Sequence, residues 1–164
     1  MKRFIALALV TALAAAVAVT GATARPKEEG NIVQTAVAAG QFKTLAKLLT
    51  RAGLVNTLQQ PGPFTVFAPT DAAFKKVPKK TLTKLLHNRQ LLKAVLLYHV
   101  VNGKVTSSQL TSMTSVDTLN GKRLRVRLSG MNVFVNTAKV TTANVAATNG
   151  VIHVVNRVLI PPAR

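Results

Sequence analysis

From Asn31 onward, apolar positions recur at helical spacing. Ile32, Val33, Ala36 and Val37 form one stripe that Gly40 ends, and Phe42, Leu45, Leu48 and Leu49 form a second that Gly53 stops. Leu54 to Leu58 add one turn, and Gln60-Pro61-Gly62-Pro63 turns the chain. Phe64 to Ala68, β-branched and aromatic between prolines, reads as a strand. Thr70 is placed to cap a short helix that runs through Phe74 and Lys76 and that Pro78 breaks, with Asp71 in its first turn. Thr81 to Leu86 and Arg89 to Leu97 predict two more helices, Tyr98 to Val101 an extended segment, and Ser107 to Leu110 a helical turn. The rest alternates. Ser115 to Leu119 is a strand; Leu124, Val126 and Leu128 then interleave with Arg123, Arg125 and Arg127, which predicts one buried face and one arginine face. Asn132 to Asn136, a short piece at Lys139-Val140 and the apolar run Val151 to Ile160 complete the strands, with Asn149-Gly150 as a positive-φ turn into the last. Helices first and strands last make the fold class α+β.

Ahead of this pattern stands a different one. Met1-Lys2-Arg3 precedes an apolar run from Phe4 to Val19, and Ala22-Thr23-Ala24 has the small-x-small form of a processing site. Residues 1–24 are therefore expected to be a cleaved export signal, since the run is short for a spanning helix of about 20 residues. Residues 25–30 form a polar lead-in, and 31–162 a single domain. The expected location is secreted or periplasmic, without a transmembrane anchor.

Composition narrows the chemistry. The 164 residues carry 22 Lys+Arg, four Asp+Glu and no Cys, for a formal charge of +18. Without Cys there is no disulfide framework, Cys-ligated zinc or Cys nucleophile. Asp71 and Asp117 are the only acids in the body of the chain, too few for a carboxylate cage around calcium or magnesium. No Gly-x-Ser-x-Gly elbow, His-Glu-x-x-His helix or phosphate-cradling glycine loop occurs, so enzyme activity has no support and no cofactor is expected.

Three blocks in order carry a resemblance: Phe64-Thr65-Val66-Phe67-Ala68-Pro69-Thr70-Asp71-Ala72-Ala73-Phe74, then Tyr98-His99-Val100-Val101, then Thr148-Asn149-Gly150-Val151-Ile152-His153-Val154-Val155-Asn156-Arg157-Val158-Leu159-Ile160-Pro161-Pro162. Together with the helical lead-in they resemble a single fasciclin domain over residues 31 to 162. The resemblance implies a wedge of β-strands flanked by helices and a non-enzymatic role in adhesion or matrix binding, with cell-surface or matrix proteins as partners. It also implies that Tyr98 and His99 take part in adhesion. The Asp-Ile that accompanies this pair in receptor-binding relatives is replaced here by Asn144-Val145. Asn31, Asn56, Asn144 and Asn156 are amides at positions often acidic in the family.

Two basic clusters are the candidate binding surface. One is Arg123, Arg125 and Arg127, about 6 to 7 Å apart along a strand; the other is Lys75, Lys76, Lys79, Lys80 and Lys84 around Pro78. Guanidinium forks suit sulfate, phosphate and carboxylate, so anionic polysaccharides are the expected partners, with extracellular DNA or an anionic membrane surface as non-specific alternatives. Sequence-specific nucleic-acid binding lacks a basic helix with interleaved aromatics. Two further readings stay open: a hydrolase or metal-binding protein using His99, His153 and Asp71, and a purely structural envelope or stress factor. The bland expectation for both histidines is burial against hydrogen-bonding partners inside the domain.

Overall fold

The computed structural model describes residues 30–162. The expected export signal, and the lead-in apart from Gly30, lie outside them. Asn31 opens α1 (Ile32–Ala38) through a capping box with Gln34. Helix α2 (Lys43–Ala52) buries Leu45, Leu48, Leu49 and Ala52 and ends at Gly53, whose φ of +72° is the left-handed cap that glycine supplies. After α3 (Val55–Gln59), strand β1 (Phe64–Pro69) hands over to α4 (Asp71–Lys75) within one residue, and the Thr70 hydroxyl accepts from the Ala73 amide at 3.2 Å. Then come α5 (Lys79–His87), α6 (Arg89–Tyr98), β2 (Val100–Asn102), α7 (Ser107–Ser112), β3 (Ser115–Asp117), β4 (Arg123–Ser129), β5 (Asn132–Val135), β6 (Ala138–Ala147) and β7 (Gly150–Val155).

The strands form one mixed sheet in the order β2-β1-β7-β6-β5-β4-β3. Only β1 and β7 run parallel. A bridge between Val101 and Thr118 draws the two edges together, so the sheet nearly closes on itself. Apolar residues collect in two clusters. Val66, Ala68, Ile152 and Val154 face the helical layer with Leu45, Leu49, Leu92 and Leu96. Phe67 and Val155 face inward with Tyr98, Leu110, Leu124, Val126 and Val135. Because β1 and β7 are covered on both faces, they are written as apolar runs rather than as alternation.

The α+β wedge flanked by helices is as the sequence implies, with five local differences. Tyr98 and His99 are helical, not extended: Tyr98 ends α6, and His99 caps it at φ −88°, ψ −6°. The imidazole Nδ1 bonds the Val95 carbonyl one turn back at 2.7 Å, which requires helical geometry. Leu128 is not buried, because β4 runs past the inner cluster after Val126. The last strand stops at Val155, where the Asn156 side chain turns aside to accept from the Lys139 amide at 2.9 Å. Asn149 does not supply a positive φ. Its amide is what matters, accepting from Ile32 N (2.9 Å) and donating to the carbonyls of Leu58 (2.5 Å) and Gln60 (3.0 Å). Gly150 is required by space, since a Cβ there would run into the Phe64 backbone. Strand β6 is longer than the expected piece at Lys139-Val140, and two register shifts break it.

Candidate functional site, a basic sheet face

Arg123, Arg125 and Arg127 are all exposed and share the outer face of β4, as the alternation predicts. Arg123 is held by Asp117 across the β3–β4 pair, Nε to Oδ1 at 2.9 Å, the one ion pair among the described residues. Both partners are open to water, so this pair adds little stability but neutralises one end of the row. Asp71, the other acid in this region, is spoken for. Its Oδ1 accepts from the Thr44 amide at 2.8 Å, and that bond holds its carboxyl below the usual carboxylate range. Arg125 and Arg127 therefore have no carboxylate opposite them.

The hairpin register adds two residues that inspection of β4 alone does not reveal. Phe134 lies directly opposite Arg127, and Lys139 directly opposite Phe134. The outer face thus carries a half-buried aromatic ring between two cations. Placing both requires the register across two turns, Gly130-Met131 and Asn136-Thr137, which the alternation within β4 does not give.

The lysine cluster reaches the same surface. Lys75 and Lys76 close α4, while Lys79, Lys80 and Lys84 lie on α5, and all five side chains are exposed. Asn156 joins the clusters: its carbonyl accepts from Lys76 Nζ at 3.3 Å and its side-chain oxygen from the Lys139 amide. Beside the arginines a groove of about 510 Å³ runs between β4 and the C-terminal stretch, lined by Arg123, Arg125, Asn136, Thr137, Ile160 and Pro162.

The other candidate residues are structural in their contacts. Tyr98 is 1% exposed, and its hydroxyl donates to the Arg123 carbonyl (3.2 Å) and accepts from Asn136 Nδ2 (2.9 Å). Tyr98→Phe keeps the ring and strands those two groups. It is expected to destabilise the domain by about 1 to 2 kcal/mol in urea unfolding, and an unchanged midpoint would contradict this role. His99 has both ring nitrogens engaged, Nδ1–H donating to Val95 and Nε2 accepting from the Leu159 amide at 2.8 Å. Burial pushes its pKa down to about 4 against the opposing hydrogen bond to Val95. In His153, Nε2–H donates to the Val105 carbonyl (2.7 Å) and Nδ1 accepts from the Asn144 amide (3.3 Å), while the ring stacks on Phe67; burial lowers its pKa too. Among the described residues no three His, Asp or Glu are grouped to hold a metal, so His99, His153 and Asp71 do not converge. Asn144 sits in the irregular part of β6 at φ +56°. Its side chain accepts from the Ser107 amide (2.9 Å) and donates to the Ser107 hydroxyl (2.6 Å), steadying the start of α7.

Comparison with known proteins fits this architecture. The family model described as Fasciclin domain matches residues 40–161. The uncharacterized protein sll1735 of Synechocystis sp. is 44% identical over 131 residues, covering 79% of this chain and 97% of that protein. The Sus scrofa transforming growth factor-beta-induced protein ig-h3 is 37% identical over 134 residues, covering 82% of this chain but 20% of that much longer protein. Among solved structures, a FAS1 domain pair from the insect cell adhesion molecule Fasciclin I aligns with a TM-score of 0.60 at 20% identity, over 74% of this chain and 46% of that one. With its three sequence blocks folded into one helix-flanked wedge, and that match across most of its length, this chain belongs to the fasciclin domain family.

Proposed function

We propose that this protein is a non-enzymatic adhesion or matrix-binding module, secreted or periplasmic, that holds anionic polymers on its basic sheet face. The observation that carries the reading is the row Arg125, Arg127 and Lys139 around Phe134, with no acid to offset it and the lysines of α4 and α5 extending it through Asn156. Between residues 30 and 162 the sequence has seventeen lysines and arginines against two aspartates. Such a surface repels itself unless counterions or a polyanion cover it. The groove beside Arg125 has room for a sugar unit, and guanidinium forks match its sulfate or carboxylate. The adhesion role is supported by the relative solved as a cell adhesion molecule.

The test is binding to an immobilised sulfated polysaccharide as salt is raised. Three exposed charge contacts at about 0.5 kcal/mol each amount to about tenfold in affinity. The Arg123→Ala/Arg125→Ala/Arg127→Ala variant is expected to lose that much with an unchanged unfolding midpoint. Wild-type binding should vanish near 1 M salt, where the screening length falls to about 3 Å. Equal elution of wild type and variant below physiological salt would reject the arginine face as a ligand site.

A further inference from the structure

The inner face of the β4–β5 hairpin leaves the core before its strands end. Leu124 and Val126 are buried, but Leu128, next in phase, is 51% exposed. Ser129 and Asn132 pair across a two-residue turn; Gly130 supplies the positive φ of +61°, and Met131 is wholly exposed. Met113, at the C-terminal cap of α7, is 43% exposed. Its neighbour Thr114 accepts from the Val126 amide at 2.8 Å, which brings Met113 to the same end of β4. Below the turn an open groove of about 390 Å³ separates α7 from β5 and β6, lined in part by Met131, Val133, Val140 and Ala143. Half of the six large apolar side chains exposed among the described residues are thus gathered at this end of the sheet. Single exposed apolar residues are ordinary; a group of them at the tip of a cationic hairpin is not.

The order of chemistry along the hairpin is the informative point. Near its tip it exposes Leu128 and Met131, its shaft carries Arg125 and Arg127 on the face opposite Leu128, and no acid occurs on β4, β5 or their turn. A bilayer with anionic headgroups has the same order in depth, phosphates outside and acyl chains beneath. Long arginine side chains can stay at the phosphate level while Leu128 and Met131 pass below it. A polysaccharide or nucleic acid has no apolar layer to receive them, and an apolar protein partner would leave the arginines without counter-charge.

We propose that the β4–β5 hairpin docks the protein on anionic lipid bilayers, with Leu128 and Met131 entering the boundary between headgroups and acyl chains and Arg125 and Arg127 engaging lipid phosphates. For its charge this rests on the anion-binding reading of the same strand; the exposure of Leu128 and Met131 is a separate observation.

The chain has no tryptophan, so Met131→Trp makes a single fluorescent reporter of the tip. Its position also keeps the signal independent of the apolar run at residues 4–19. The Met131→Trp emission should shift to the blue with vesicles containing phosphatidylglycerol and stay unshifted with pure phosphatidylcholine. The Leu128→Ser/Met131→Ser variant should bind the anionic vesicles at least about tenfold more weakly than wild type while binding sulfated polysaccharide equally well. The proposal is overturned if the reporter stays at its aqueous emission while the protein is bound to the vesicles. It is equally overturned if the double variant binds as wild type does, or if wild type does not bind these vesicles at all. Retained polysaccharide binding in any of those cases leaves the polymer reading standing, whereas loss of both removes the arginine face as an anion site.

Discussion

Lowering the pH from 7 to 4 is expected to remove about 3 kcal/mol of stability through His99 alone. The ring is buried and bridges α6 to the C-terminal stretch as a neutral tautomer, donating to the Val95 carbonyl and accepting from the Leu159 amide. A proton on Nε2 would end that acceptance and place a charge among Leu96, Val100 and Ile152, which border the same small cavity. The folded-state pKa is about 4, against 6.5 for an ordinary histidine. The unfolded chain therefore takes up the proton first, so the contribution is full above about pH 6.5 and drains as the pH falls toward 4. A separation of that size corresponds to about 3 kcal/mol, a large share of the 5 to 15 kcal/mol typical of a whole domain. His153, also lowered by burial, acts in the same direction. Asp71 does not share this window: its carboxyl is lowered, so its contribution holds until the pH drops below the ordinary value of 3.8. Urea midpoints measured from pH 7 to 4 should fall steadily, and His99→Gln should flatten the slope while lowering the plateau. A wild-type midpoint that does not change across that range would contradict the assignment.

Asn149→Ala is expected to cost about 3 to 5 kcal/mol. One amide group satisfies three backbone groups from distant parts of the chain: the first amide of α1, and the carbonyls of Leu58 and Gln60 at the end of α3. Each buried group left without a partner costs about 1 to 3 kcal/mol, less where water can enter, as beside the exposed Gln60. Asn149→Asp makes the chemistry explicit. A carboxylate can still accept from Ile32, but it turns an acceptor toward two carbonyls that need a donor. The acid variant should therefore be no better than alanine despite its near-identical shape. Calorimetry or urea unfolding would decide: a loss below about 1 kcal/mol in both variants would mean that Asn149 is not the clamp described here.

Features set by neighbouring residues could be read from the chain. Thr70 as a cap, Gly53 as a stop and the alternation of arginine with Leu124 and Val126 depend on spacings of a few residues, and the structure has them in place. What could not be read depends on partners far along the chain. Tyr98 and His99 look like strand residues because of Val100 and Val101; their helical state follows from contacts with Arg123, Asn136 and Leu159. The pairing of Phe134 with Arg127 and Lys139 required the register, and the meeting of Lys76 with Lys139 at Asn156 required the tertiary fold. Leu128 fits the buried phase of its strand, but periodicity carries no information about where the core ends.

The parallel pairing of β1 with β7 also dictates when this fold can exist. Phe64 must wait for Gly150, and Val66 for Ile152, so the centre of the sheet is built from contacts of very long sequence separation. Closing such a loop is slow compared with helix formation, and the high contact order places the domain among slow folders. A chain still being synthesised can pair β1 with β2 early, but it has β1 without its parallel partner β7 until the last strand of the domain emerges. Truncation anywhere before β7 should then leave the chain open to proteases, however complete its helices, because folding here is a single late event.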